Sequence, residues 1–289
     1  MKYENMADKP IGIFDSGVGG LTVLKEIHAR LPAESTIYMG DTARVPYGIR
    51  SAETVIKYSL ENSSFLVEKG IKLLIIACNT ASAVSLNIIR NTFKIPVLGV
   101  IEPGAKAAAQ ATKNGLVGVI GTEATIKSGA YGRTIRSLDP RIKVIERSCP
   151  LFVPLVEEGW LDNEVVEMVA QRYLTEMKLY NIDTLVLGCT HYPLLKKVIK
   201  KVMGDDVVLI DSAIEKAKNV AKILTTSGLL KTLETPVHRK YYVTDCPDRF
   251  QEIGKRFMLD SLEDITKIEI ASLEEKAMAL KNACGCGGV

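Results

Sequence analysis

Two cysteines in this chain keep matching company. Cys78 follows the run Leu73-Leu74-Ile75-Ile76-Ala77 and precedes Asn79-Thr80, and Cys189 follows Thr184-Leu185-Val186-Leu187-Gly188 and precedes Thr190-His191. Each apolar run has the length and aliphatic content of a buried strand, so each thiol falls where a strand gives way to a helix. In open α/β sheets ligands bind at that edge. The N–H groups and dipole of the following helix also stabilise a thiolate there. One cysteine so placed is often only a small buried hydrophobe; two in equivalent surroundings read as two half-sites. His191, two residues beyond Cys189, can exchange a proton with that thiol or hold it ionised. Asp15, at the end of an earlier apolar stretch, can serve Cys78 in the same way.

Two opposed thiols suit inversion at carbon. One thiolate removes the α-proton from one face of a chiral amino acid, and the other thiol delivers a proton to the opposite face. Thiols fit because modest environmental effects move them between their two protonation states near neutral pH. N–H groups and hydroxyls at two helix N-termini would stabilise the carbanionic charge on the substrate carboxylate. A cysteine hydrolase needs one nucleophile and an oxyanion hole, which leaves the second cysteine without a role. A non-catalytic amino-acid-binding module would keep the polar contacts but would not need two matched thiols. Nothing points to pyridoxal chemistry, and the reading takes no cofactor.

The elements that must hold these groups alternate. Strands are expected over 10–14, 36–39, 97–100, 116–120, 142–146, 207–210, 241–243 and 268–270, beside the two cysteine strands. Helices are expected over 21–31 and 81–90, from a Ser51 N-cap to Lys69 with Gly70 closing it, behind an Asp162 cap, and from Pro193. Such alternation implies mainly parallel sheets with helices on both faces. The repeat extends beyond the cysteines, since Gly12-Ile13-Phe14-Asp15-Ser16 parallels Gly118-Val119-Ile120-Gly121-Thr122. The fold is therefore read as α/β, with two similar Rossmann-like domains related by a pseudo-two-fold axis and the active site between them. One domain comprises 1–101 plus 214–289, whose C-terminal segment packs back; the other comprises 102–213. The loop Asp15-Ser16-Gly17-Val18-Gly19-Gly20 lacks the G-x-G-x-x-G spacing of a dinucleotide site. Its glycines read as a tight turn needing positive φ, with Asp15 and Ser16 aimed at a polar ligand. Residues 40–48 form a second ligand-facing loop.

Composition excludes several classes. The chain has 289 residues, 47% of them hydrophobic and 25% charged, as in an ordinary globular protein. A net charge of +3 is too small to argue for nucleic acid. No apolar run approaches the roughly 20 residues that span a bilayer. With no signal-peptide core at the N-terminus, the protein is expected in the cytoplasm. The six cysteines are expected as free thiols. No metal site is expected, because only Cys284 and Cys286 are closely spaced and no second pair or histidine completes a tetrahedral set. That Cys-Gly-Cys end reads as a frayed tail, with opportunistic metal binding or redox chemistry the lesser reading. Cys149 and Cys246 lack the strand-end context of the other two.

Taken together, residues 11–20, 40–48, 77–80, 153–159 and 188–193 resemble the glutamate racemases of the cofactor-independent aspartate/glutamate racemase superfamily. The resemblance covers most of the chain. It implies Cys78 and Cys189 as the acid/base pair, with substrate contacts from Asp15, Ser16, Tyr47, Gly48, Asn79, Thr80, Thr190 and His191. An assisting glutamate is implied in the segment holding Glu157 and Glu158, and the reading leans to Glu158. The resemblance further implies glutamate as substrate, a role in supplying D-glutamate for peptidoglycan, and a homodimer. Aspartate racemase, or another α-carbon epimerase of this fold, is the nearest alternative.

Overall fold

A computed structural model describes residues 6–232, 235–259 and 262–284. Its strands are β1 (Ile11–Asp15), β2 (Thr36–Gly40), β3 (Leu73–Ile76), β4 (Val97–Gly99), β5 (Leu116–Gly121), β6 (Lys143–Ser148), β7 (Thr184–Gly188), β8 (Val208–Asp211), β9 (Arg239–Val243) and β10 (Ile265–Lys267). They form two sheets, ordered β10-β9-β2-β1-β3-β4 and β6-β5-β7-β8, and every pairing is parallel. The fold is α/β, and the internal repeat is visible in the topology. In both sheets the first strand lies between the second and the cysteine strand, with the fourth outside. Register matches as well: Phe14 pairs with Ile76, two residues before Cys78, and Ile120 pairs with Leu187, two residues before Cys189.

A shared packing detail keeps the two units alike. A Cβ on Gly12 would lie 2.5 Å from Ile71 Cδ1, and one on Gly118 would lie 2.4 Å from Ile182 Cδ1. Each isoleucine sits seven residues before its cysteine and fills the space that its glycine leaves open.

The chain after β8 returns to the first sheet. β9 pairs with β2, and β10 with β9. Helix Ile270–Cys284 lies on helix Ala52–Glu68, and helix Pro247–Met258 lies on helix Leu21–Arg30. Helix Ser212–Thr226 contacts both helix Leu21–Arg30 and helix Ile101–Ala111, so one apolar cluster runs from Leu21, Leu24 and Ile27 through Ala213, Ala217 and Val220.

Some element ends differ from expectation for local reasons. The last strand is Ile265–Lys267 rather than 268–270, because its partner ends at Val243, whose carbonyl accepts the final bond from Ile268 N at 2.8 Å. Asn163, not Asp162, caps helix Glu164–Leu179, accepting from Val166 N at 3.0 Å; Asp162 is paired with Lys197. Gly70 has φ +76° and closes helix Ala52–Glu68 as expected. The glycines of the 15–20 loop do not need positive φ, and their role is close approach, described below. Cys284 ends the last helix, and Gly285 and Cys286 lie outside the described residues.

At the base of the first sheet, Lys72 and Glu34 form a buried ion pair at 2.5 Å. Glu34 also accepts from Lys231 N at 2.9 Å, and Lys72 donates to the carbonyls of Ala7 and Leu229. This pair ties the segment before β9 to the first unit. Removing one member leaves the other charged without its counter-ion in the interior. Glu34→Gln is therefore expected to lower unfolding free energy by about 3 kcal/mol, read from a urea titration monitored by circular dichroism.

Candidate active site

Each cysteine is placed by backbone geometry. Cys78 is the N-cap of helix Asn79–Thr92, and its Sγ accepts from Ala81 N at 3.5 Å. Cys189 follows β7 and opens the turn into a short 3-10 helix, Tyr192–Leu195. Both thiols are buried and free. They share one electrostatic environment, for charge on Cys189 raises the pKa of Cys78.

The surroundings of the two thiols are unlike. His191 Nδ1 lies 3.8 Å from Cys189 Sγ, and its Nε2 lies 2.9 Å from Glu157 Oε1. Burial alone would lower the imidazole pKa, but the Cys189 sulphur and the Glu157 carboxylate override it and raise it to about 10. Glu157 is pushed up by burial and pulled down further by His191, so it ends below its usual value. A protonated imidazole thus sits between a carboxylate and the Cys189 sulphur. Around Cys78 the balance is reversed. Burial, reinforced by Asp15, pushes the thiol up to about 12, against the opposing pull of Ala81 N and Ser16. Of the two roles expected of Asp15, holding Cys78 ionised is opposed by its own charge, which leaves exchange of a proton with the thiol. Burial raises the Asp15 pKa, with His191 acting in the opposite sense. Its Oδ2 accepts from Gly17 N at 3.0 Å, while its buried Oδ1 has no partner and is free to accept from a ligand ammonium.

Most of the remaining expected residues gather here. The Gly-rich loop lies against the second unit, where a Cβ on Gly19 would fall 2.3 Å from Thr190 Oγ1 and 2.5 Å from His191 Nδ1. Thr22 Oγ1 completes that contact by donating to Thr190 O at 3.0 Å. Thr80 Oγ1 lies 2.8 Å from Thr122 Oγ1 and 3.1 Å from Thr125 Oγ1, so three hydroxyls from both units meet. Gly48 abuts Thr122, whose Cβ would be 2.6 Å from an added methyl. Asn79 Oδ1 accepts from Tyr131 OH at 2.7 Å.

Two of the expected side chains are engaged elsewhere. The Tyr47 phenol is not presented to a ligand: it donates to buried Asp41 and accepts from Asn62 Nδ2 at 3.1 Å. Asp41, also bonded to Arg44 and Thr244, draws the phenol into that network. Glu158 faces away from the thiols; its side chain is 64% exposed, 3.5 Å from Arg249, and it is Glu157 that meets His191. Thr122, Thr125 and Tyr131 were missed as site residues, and Glu157 is the member of the doublet to which the reading did not lean. Thr122 had a signal, for it is the repeat's counterpart of Ser16. Among the described residues no group of three or more His, Cys, Asp or Glu side chains is arranged to hold a metal ion. No described helix is long and apolar enough to cross a membrane.

Known proteins share this architecture. A family model described as Asp/Glu/Hydantoin racemase matches residues 11–219. A glutamate racemase of Geobacter metallireducens is 55% identical over 92% of this chain and 99% of its own length. The crystal structure of glutamate racemase from Francisella tularensis in complex with D-glutamate superposes with a TM-score of 0.87 at 39% identity, covering 92% of this chain and 99% of that one. The Thermus thermophilus glutamate racemase in complex with β-chloro-D-alanine superposes with a TM-score of 0.84 at 42% identity, covering 92% and 99%.

Proposed function

Because the chain belongs to the Asp/Glu/Hydantoin racemase family, we propose that it interconverts L- and D-glutamate by cofactor-independent two-base proton transfer. The observation that carries this reading is the pair of buried strand-end thiols, Cys78 and Cys189, in matching registers of two repeated sheets. Glutamate, rather than aspartate, is supported by relatives of that name at 45–55% identity. On the same reading, the product D-glutamate would serve peptidoglycan synthesis in a bacterial cytoplasm, and the working form would be a homodimer.

In this mechanism substrate lies between the thiols. The unpartnered Asp15 Oδ1 accepts from the ammonium. Asn79 Nδ2, the threonine hydroxyls and the helix N-terminus behind Cys78 stabilise negative charge that develops on the α-carboxylate. Protonated His191 supplies positive charge at the Cys189 sulphur while that group removes or returns the α-proton. Cys78, held as a thiol when the site is empty, donates to the opposite face. In the reverse direction the two exchange roles, and proton movement through Asp15 and His191 resets them.

Incubation with L-glutamate in D₂O is expected to replace the α-proton by deuterium and to bring optical rotation to zero, as the product with an equilibrium constant of unity requires. Proton NMR and polarimetry follow both at once. Absence of α-exchange with glutamate would sink the reading.

A further inference from the structure

Tyr131 touches the neighbours of both cysteines. It lies in helix Ala130–Leu138 of the second unit and is completely buried. Its ring packs under Gly188, the residue before Cys189, where a Cβ would lie 3.2 Å from Cε2. On another side it meets Gly104 of helix Ile101–Ala111, where a Cβ would lie 3.3 Å from Cε1. Its hydroxyl crosses to the first unit and donates to Asn79 Oδ1, on the residue after Cys78.

An amide side chain has an acceptor end and a donor end, and fixing one directs the other. With Oδ1 held by Tyr131, the buried Asn79 Nδ2 has no protein partner. A buried donor left open beside a strand-end thiol calls for an acceptor supplied by something else. The ligand the site is read to take carries that acceptor as a carboxylate.

We propose that Tyr131 is a positioning residue for the reaction: its hydroxyl holds the Asn79 amide with the NH₂ end toward the substrate carboxylate, and its ring spaces Asn79 from Gly188. The proposal rests on the racemase reading, and it assigns Tyr131 no contact with substrate. Since Asn79 serves the carboxylate of either enantiomer, Tyr131 acts on both directions alike.

Tyr131→Phe keeps the ring and its packing and removes only the hydroxyl. The expected result is about a 10- to 100-fold fall in kcat/KM in both directions, the range that loss of a hydrogen bond to a charged group implies. Glutamate binding, measured by calorimetry, weakens in parallel. The decisive comparison uses the double variant with Asn79→Ala. If Tyr131 works through Asn79, Tyr131→Phe has no further effect once the amide is gone. An equal loss in both backgrounds, or wild-type kinetics and binding in Tyr131→Phe, would overturn the proposal. Binding and turnover separate the two readings. A chain that binds glutamate without inverting it fails the racemase assignment alone, while the binding comparison still decides for or against Tyr131.

Discussion

Serine in place of either Cys78 or Cys189 is expected to lower racemisation about a thousandfold, with the fold unchanged. The size follows from the task. A positioned acid/base group contributes about 10²–10⁴ to rate, and a hydroxyl is far too weak an acid to cycle through its anion near neutral pH. The fold should survive, because serine is smaller and Ala81 N still has an oxygen to meet at position 78. The two variants should also fail differently. With Cys78 replaced, the Cys189 half-site still faces one enantiomer and keeps its His191–Glu157 pair. In D₂O that enantiomer should exchange its α-proton slowly with retained configuration, while the other exchanges far less. With Cys189 replaced, the preference should reverse. A chiral assay combined with NMR of the α-position separates inversion from exchange. Full activity in either variant would show that a single thiol suffices, and the two-base mechanism would be wrong.

What can be read from a single chain depends on how local the cause is. The cysteine strands were legible because an aliphatic run closed by small and polar residues is a property of a few consecutive residues. The repeat was legible in part, since Gly12 and Gly118 stand at equivalent points. Their partners Ile71 and Ile182 became meaningful only once β3 and β7 lay beside β1 and β5. The glycines of the 15–20 loop were read as a turn needing positive φ, which none of them has. Positive φ is a local cause; the cause acting at Gly19 is a threonine and a histidine from the other unit, which no window around residue 19 contains. Tyr131 is the same case, an ordinary aromatic in an amphipathic helix until its hydroxyl is seen on Asn79. The engagement of the Tyr47 phenol is equally non-local, because its acceptor Asp41 and its donor Asn62 lie on other elements.

The glutamate doublet shows the same limit and leads to the second large effect. Adjacent residues on a short helix point about 100° apart, so one faces the site and its neighbour does not. Glu157 is the one that meets His191, and its placement is reinforced from the first unit: Arg256 of helix Pro247–Met258 donates to Glu157 O, and the Phe257 ring stands edge-on to His191 with centroids 5.5 Å apart. Glu157→Gln should therefore lower turnover about 100-fold, at the lower end of what general acid–base groups contribute, whereas Glu158→Gln should change it less than twofold. The pH dependence of stability gives an independent reading. His191 has a folded pKa of about 10, above the ordinary histidine value, so the folded state binds its proton more tightly than the unfolded state does. That contribution is fully present below pH ~6.5 and is lost as pH rises toward 10. Lys216, whose pKa burial lowers to about 7, acts in the opposite sense in the same window, so the contribution of His191 is read as the difference in thermal midpoint between wild type and Glu157→Gln. In Glu157→Gln the carboxylate's share of the upward shift is gone, so wild type should lose its stability advantage over the variant as pH rises toward 10. A difference that does not change with pH would mean that Glu157 does not hold the imidazole proton, and the half-site at Cys189 would then lack the charge that the mechanism assigns to it.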